Sequence, residues 1–342
     1  MPSDPSRADQ VAPALLAYLT ARLSVDDLRF AEAPAAIETG WETHIYTFRL
    51  ESDGVDPAWA RPLILRVYPN AEQGERAEFD GAVQRFVVER GYPAPAVLAI
   101  ETSAGALGRP FLIMERAPGR TMLDRLQANP ISARGLTPLM AKAHADLHRL
   151  PVEACPLPAD GTLVERQLVD FRRRIAAMGV TGTDDALAWL EAHKGMVMPE
   201  EASLCHNDFH PQNIVVDDEQ RLSVIDWSGA ALGDRHCDIA STLVLMRTAP
   251  GELSGVIGML LDRFGRYMLV RRYLRGYRKH LPIDKDRLRY WEVLQTFEWW
   301  LRVAAIQSFD SDVTGLREGT AQRLPEGHLE RIQRHFWQRA RA

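Results

Sequence analysis

The sequence predicts an α+β chain in which a small β-rich lobe precedes a larger helical one. Three observations lead there. Residues from about 30 to 116 consist of short alternating or compact apolar runs punctuated by Gly, Pro and Asp, the texture of strands and turns. Beyond Pro118-Gly119, apolar residues recur at helical spacing. Inside that helical half, one island over 213–226 returns to β texture. With 342 residues, 46% hydrophobic and 25% charged, the chain has average globular composition and length for two lobes. That composition excludes a disordered tail protein and a collagen-like fibre, and a net charge of −5 argues against a general polyanion binder.

Taken in order, Val11 to Leu23 carries apolar residues at helical spacing and reads as a short amphipathic helix, within an N-terminal extension over residues 1–29. Thr43 to Leu50 alternates and predicts a half-buried strand. Leu63 to Val67 is a compact apolar run holding one cation, Arg66, and Phe111 to Met114 is a third such run. Glu75 to Glu89 interrupts them as a helix, with Phe79, Val83, Phe86 and Val87 on one face. These residues, 30–116, form the predicted β-rich lobe, and 117–342 the helical one. There, Leu139 to Leu150, Leu261 to Tyr277 and Leu288 to Ala305 predict helices. The longest apolar stretches, such as Val256 to Leu261, fall far short of the ~18 residues of a membrane span. The start, Met1-Pro2-Ser3-Asp4-Pro5, is polar and unlike a secretory signal. Three cysteines, Cys155, Cys205 and Cys237, cannot all pair and fit a reducing compartment, so a cytoplasmic chain is expected.

Chemistry concentrates between Leu204 and Ala240. His206-x-Asp208 is followed by Asn213, five positions after the acid. Ile214 to Val216 and Leu222 to Ile225 flank a polar turn, and Asp226 closes the second run. If the runs pair as a hairpin, Asn213 and Asp226 lie near its open end, where cross-strand side chains are neighbours. A carboxylate and an amide oxygen there make a hard-oxygen site suited to magnesium, with room left for phosphate oxygens. Asp208 is then placed to take a hydroxyl proton beside that metal. The H-x-D-x-x-x-x-N spacing, with an Asp after a hairpin, is the protein-kinase arrangement of catalytic base and metal ligands.

These residues resemble the aminoglycoside phosphotransferase and choline kinase family, small-molecule kinases with a protein-kinase-like two-lobe fold. The likeness is carried by His206-Asn207-Asp208-Phe209-His210-Pro211-Gln212-Asn213, Ile225-Asp226-Trp227, Gly233-Asp234 and Asp238-Ile239-Ala240, with Leu147-His148-Arg149-Leu150 and Glu115 to Gly119 in support. It implies Asp208 as catalytic base, Asn213 and Asp226 as metal ligands, and His206 and Asp238 as supports of the catalytic loop. It further implies that the β-rich lobe holds ATP or GTP with magnesium. Gly40 and Thr43 would belong to the loop over the phosphates, Arg66 would stand where kinases carry the strand lysine, and Glu78 would be its ion-pair partner. Backbone groups from Glu115 to Ala117 would read the adenine. Arg in place of Lys changes phosphate geometry from a point charge to a fork.

The acceptor would be a small hydroxyl compound, cationic or amphipathic, met by residues drawn from His210, Glu298, Trp299 and Asp310. Carboxylates beside indoles suit such molecules through charge pairing and cation–π contact. Glu292, Trp300 and Asp312 are further candidates, with at least one of Trp299 and Trp300 expected in the core. No nucleic-acid or membrane partner is expected, and the chain is read as a monomer or homodimer. The basic run Arg263 to Lys279 reads as a solvated helix face, although a phosphorylated substrate or acyl-CoA would also suit it. Two other classes compete: a nucleotide-binding pseudokinase without turnover, and a metal-dependent hydrolase using His206, Asp208, His210 and His236. The pair His144 and His148 lacks the Glu that a zinc-protease helix requires.

Overall fold

The computed structural model describes residues 8–37, 43–248, 255–308 and 327–341, which divide into two compact units, one built mainly on residues 1–118 and the other mainly on 119–342. The first unit is a five-stranded antiparallel sheet in the order β1-β2-β3-β5-β4, made of Arg29–Ile37, His44–Glu51, Leu63–Val67, Phe111–Glu115 and Val97–Glu101 respectively. Alternation in β2 buries Tyr46, Phe48 and Leu50, as a sheet with one covered face requires. Leu63 and Leu65 of β3, with Phe111 and Ile113 of β5, complete that face.

Helix α1 (Ala8–Leu23) supplies Val11, Leu15 and Leu19 to the same core. The segment expected to be an N-terminal extension is therefore integral to the first unit, because its apolar stripe has no other surface to bury against. The other sheet face carries α2 (Gly74–Glu89), whose buried residues include Ala77, Asp80, Gly81 and Gln84. Their i, i+3, i+4, i+7 spacing makes a narrow stripe of small and polar side chains beside the larger Val83, Phe86 and Val87.

The second unit is mostly helical. Its strand pair β6 (Arg120–Thr121) and β8 (Ile214–Val216) is antiparallel, and β9 (Leu222–Val224) completes a three-stranded sheet in the order β6-β8-β9. A second pair joins β7 (Ala202–Cys205) to β10 (Ala231–Asp234). Gly119 has φ of +104°, and a Cβ there would lie 2.1 Å from the Val216 carbonyl oxygen, so only glycine lets the chain enter β6 this close to β8. Helices follow as α3 (Met122–Ala128), α4 (Ala133–Leu147), α5 (Leu163–Met178), α6 (Asp184–His193), α7 (Arg235–Thr248), α8 (Gly255–Tyr277), α9 (Lys285–Ser308) and α10 (His328–Arg341). Helix α9 forms the centre of the helical core through Tyr290, Trp291, Leu294, Phe297 and Leu301, all fully buried. No helix among the described residues is long and apolar enough to cross a membrane.

Candidate active site

In the first unit, Arg66 is buried on β3, where Nε donates to Thr43 Oγ1 at 3.1 Å and Nη1 lies 3.6 Å from Asp80 Oδ2. The Tyr68 hydroxyl donates to the same Asp80 oxygen at 2.6 Å, and Arg76 reaches Oδ1 at 3.3 Å. The partner of the strand cation is thus Asp80, and the expectation of Glu78 is corrected. Residues two apart on a helix point about 200° apart, and Glu78 falls on the exposed side. Glu115 pairs through its side chain with Arg61 at 2.7 Å. The Ala117 N–H has no hydrogen-bond partner among the described residues. Gly40 lies outside the described residues.

In the second unit, β7 ends at Cys205 and the chain turns through the loop His206 to Asn213. Asn213 Nδ2 donates to the Asp208 carboxylate at 2.7 Å and to the Asp208 carbonyl at 3.0 Å, closing the loop on itself. His210 Nε2 lies 3.3 Å from the other Asp208 oxygen. Asp226 follows β9 with φ of +65°, and its charge acts on both His206 and His210. Asp208, His210, Asn213 and Asp226 therefore form one electrostatic neighbourhood. Burial alone would raise Asp208, but the nearby His210, helped by His206 and Arg302, brings it down to about 2. About a third of its side chain is still open to solvent. Burial would lower His210, yet Asp208 and Asp226 together raise it.

Helix α7 fixes this loop from beneath. Asp238 accepts the backbone N–H groups of His206 (2.5 Å) and Asn207 (2.8 Å), while Ser241 and Thr242 donate to the carbonyls of Asn207 (2.5 Å) and Phe209 (2.8 Å). Spacing of i, i+3 and i+4 puts all three side chains on one face of α7. Asn207 takes φ of +60° and its amide donates to the Gly229 carbonyl at 2.9 Å, a role that no sequence pattern announced. His206 is buried over Trp227, with its Nδ1 accepting the Asp208 N–H at 3.3 Å.

Behind Asp238 lies a polar cluster that is fully buried. His144 of α4 and His148, the residue just after that helix, approach the Asp238 Oδ2 at 3.0 and 3.2 Å, and their Nδ1 atoms lie 2.6 and 2.7 Å from the hydroxyls of Tyr273 and Tyr277. The three residues His144, His148 and Asp238 have metal-like proximity. Hydrogen bonding accounts for the His148 arm: with Nε2–H donating to Asp238, Nδ1 is left to accept the Tyr277 hydroxyl. Burial, reinforced by the neighbouring His144, lowers His148 from 6.5 to about 4. The folded chain thus resists protonating a group that the unfolded chain protonates readily. Stability is full above about pH 6.5 and is lost as pH falls towards 4, by roughly 3 kcal/mol for this group. His148→Gln is expected to be less steep over that window in chemical denaturation at several pH values. Equal slopes in both proteins would dismiss the assignment.

On the acceptor side, Glu298 on α9 is paired with Arg174 at 2.7 Å, and Arg302 stands one turn further at 3.8 Å. Trp299 is half-buried and Trp300 is core. Glu292 is buried in ion pairs with Arg247 (3.1 Å) and Arg339, which removes it from any acceptor surface. Asp310 and Asp312 lie outside the described residues. The hydrolase grouping fails at His236, which is held by Asp234 at 2.6 Å and by the Asp284 N–H at 3.1 Å. Arg302, absent from the sequence-derived candidates, is found through its charge on Asp208.

A small antiparallel sheet with a buried strand cation, and a helical unit with a braced H-x-D loop beside a hairpin acid, together define a kinase-like phosphotransferase. Residues 35–291 match the phosphotransferase enzyme family, and the chain belongs to it. The aminoglycoside 3'-phosphotransferase of Streptomyces ribosidificus is 25% identical over 269 residues, 74% of this chain and 90% of that protein. Acyl-CoA dehydrogenase family member 10 of Mus musculus is 24% identical over 264 residues, 72% of this chain. The chain spans about a quarter of the length of that mouse relative, 24%. A solved thermostable mutant of aminoglycoside phosphotransferase APH(4)-Ia, in ternary complex with ADP and hygromycin B, shares the fold with a TM-score of 0.62 at 17% identity, covering 94% of this chain and 98% of that one.

Proposed function

We propose that this phosphotransferase moves the terminal phosphoryl group of ATP or GTP to a hydroxyl of a small molecule, with Asp208 as the base. The observation that carries the reading is the neighbourhood of Asp208, Asn213 and Asp226 on a loop whose backbone is held by Asp238, Ser241 and Thr242. Asp208 is anionic at neutral pH and partly accessible, so it can accept a hydrogen bond from an acceptor hydroxyl, orient its oxygen and take its proton as phosphorus is attacked.

The donor set fits magnesium. Asn213 uses its amide N–H on Asp208, which leaves its carbonyl oxygen, and Asp226 adds a carboxylate; these are the hard oxygens this ion takes. Bound there, magnesium would neutralise phosphate charge. Arg66, oriented by Thr43 and Asp80, supplies the strand cation for phosphate oxygens, and the unpartnered Ala117 N–H is a donor suited to an adenine. The ADP in the APH(4)-Ia complex supports the nucleotide assignment.

For the acceptor, the compensation of Glu298 by Arg174 and Arg302 weakens the case for a purely cationic molecule. The acyl-CoA dehydrogenase name of the mouse relative adds hydroxyacyl-CoA thioesters to the candidates, alongside aminoglycosides, macrolides and amino alcohols.

The deciding experiment is a phosphate-transfer screen over those four classes with ATP and GTP, run with and without magnesium. Transfer to at least one acceptor is expected. Nucleotide binding with no transfer to any class would leave a binding module in place of an enzyme. In the same assay Asp226→Ala is expected to lose magnesium-dependent nucleotide binding, measured calorimetrically. Unchanged magnesium dependence in that variant would contradict its role as a metal ligand.

A further inference from the structure

On the surface of the second unit, α4, α8 and the turn after α8 form an open groove of about 450 Å³ whose lining includes Arg134, Lys142, Arg272, Arg275, Lys279 and His280. No acid is in its lining, in a chain whose net charge is −5. Lys142 pairs with Asp146 at 2.5 Å, but among the described residues Arg134, Arg272, Arg275 and Lys279 have no ion-pair or side-chain hydrogen-bond partner. A neighbouring cavity of about 530 Å³ is different: its Arg125 is neutralised by Asp218 at 2.8 Å.

The concentration of charge is built by the helix pairing. Arg134, Pro138 and Lys142 follow one another at i, i+4, i+8 along α4, and Arg272, Arg275 and Gly276 at i, i+3, i+4 along α8, with Lys279 in the turn just after it. A Cβ on Gly276 would lie 2.9 Å from the Ala141 Cβ, so glycine allows α8 to approach α4 closely and brings the two cationic rows together. The α8 cations have a structural excuse, since positive charge is favoured near a helix C-terminus. Arg134 has none. It occupies the first turn of α4, which holds no acid and no side-chain cap, where the helix dipole disfavours a cation. An anion in the cavity would meet Arg134 and the α8 guanidinium groups at once.

We propose that this groove is a binding site for a phosphorylated small molecule, the polyphosphate group lying between Arg134 and the Arg272–Arg275 pair. The volume fits a small ligand, and the lining offers no Phe, Tyr or Trp on which nucleic-acid bases would stack. The site does not depend on the phosphotransfer reading, because none of its residues belongs to the catalytic loop or hairpin.

Titration calorimetry with inorganic pyrophosphate and tripolyphosphate, in magnesium-free buffer, tests it. Wild type and Asp226→Ala should bind alike, with affinity falling as salt is raised. Both Arg134→Glu and the double variant Arg272→Ala/Arg275→Ala should lose roughly tenfold or more, the effect of one lost charge-assisted contact, with unchanged melting temperature. Loss in Asp226→Ala with retention in the arginine variants would move the binding to the nucleotide site and overturn the proposal. So would equal affinity in all four proteins, or binding to phosphatidylserine vesicles without binding to either free phosphate.

Discussion

Replacing Asp208 with Asn is expected to lower turnover by about 10²–10⁴-fold while nucleotide affinity stays unchanged. The two side chains are nearly the same size, and an Asn carbonyl oxygen can still accept the Asn213 amide that Asp208 accepts at 2.7 Å. What disappears is the negative charge. Against the cost of burial, His210 and then His206 hold that charge so that the group stays ionised down to about pH 2. Such a carboxylate is a weak base towards a free hydroxyl. Its contribution is therefore orientation of the acceptor oxygen, with proton transfer late, as the oxygen becomes acidic on bonding to phosphorus. The low value also means that Asp208 does not set any loss of rate between pH 5 and 7. Steady-state kinetics for the acceptor found in the screen, with calorimetry for the nucleotide, give the two quantities separately. Full turnover in the variant would remove the base from this position, whereas lost nucleotide affinity would show that the substitution disturbed the metal-binding side.

The parts of this site that were legible in the sequence are those where chemistry and local spacing coincide. His206, Asp208, Asn213 and Asp226 fall within 21 residues, around two strands whose apolar runs are unmistakable. The turn between those strands forces their ends together, so spacing alone could carry the inference. The strand cation is a different case. Arg66 is readable from its apolar run, but its partner depends on how α2 is rotated over the sheet, which the family resemblance that implies Glu78 does not fix. The rotation did leave a trace: Ala77, Asp80, Gly81 and Gln84 make a stripe of small and polar residues that can pack close to a sheet, and Asp80 is its only acid. Helix α5 also left a trace that apolar periodicity overlooked, a capping box from Thr162 to Glu165 and a left-handed Gly179 at its end. Asn207 left none. Its positive φ and its bond to the Gly229 carbonyl arise from contacts 22 residues apart, which local sequence does not encode.

Asp238→Asn is expected to destabilise the protein by about 1–3 kcal/mol, the range for leaving a buried donor without its acceptor. The carboxylate is fully buried and receives the His206 and Asn207 N–H groups together with the His148 Nε2–H. All three are donors. An Asn side chain offers one acceptor oxygen and turns an NH₂ group towards whichever donors the other oxygen served, so at least one buried N–H loses its partner. Burial would raise the Asp238 carboxyl, and the neighbouring His144 and His148 instead hold it well below the ordinary carboxylate range. Its ionised form therefore stabilises the fold at every pH above the unfolded carboxylate value and is lost only in strong acid. Urea denaturation at pH 7 measures the loss, and amide hydrogen exchange at His206 and Asn207 locates it. If Asp238 fixes the catalytic loop, these two amides should lose protection beyond what the global destabilisation accounts for, and turnover should fall in the folded fraction as well. A uniform rise in exchange with normal turnover per folded molecule would mean that Asp238 serves the helical core and that the loop keeps its shape without it.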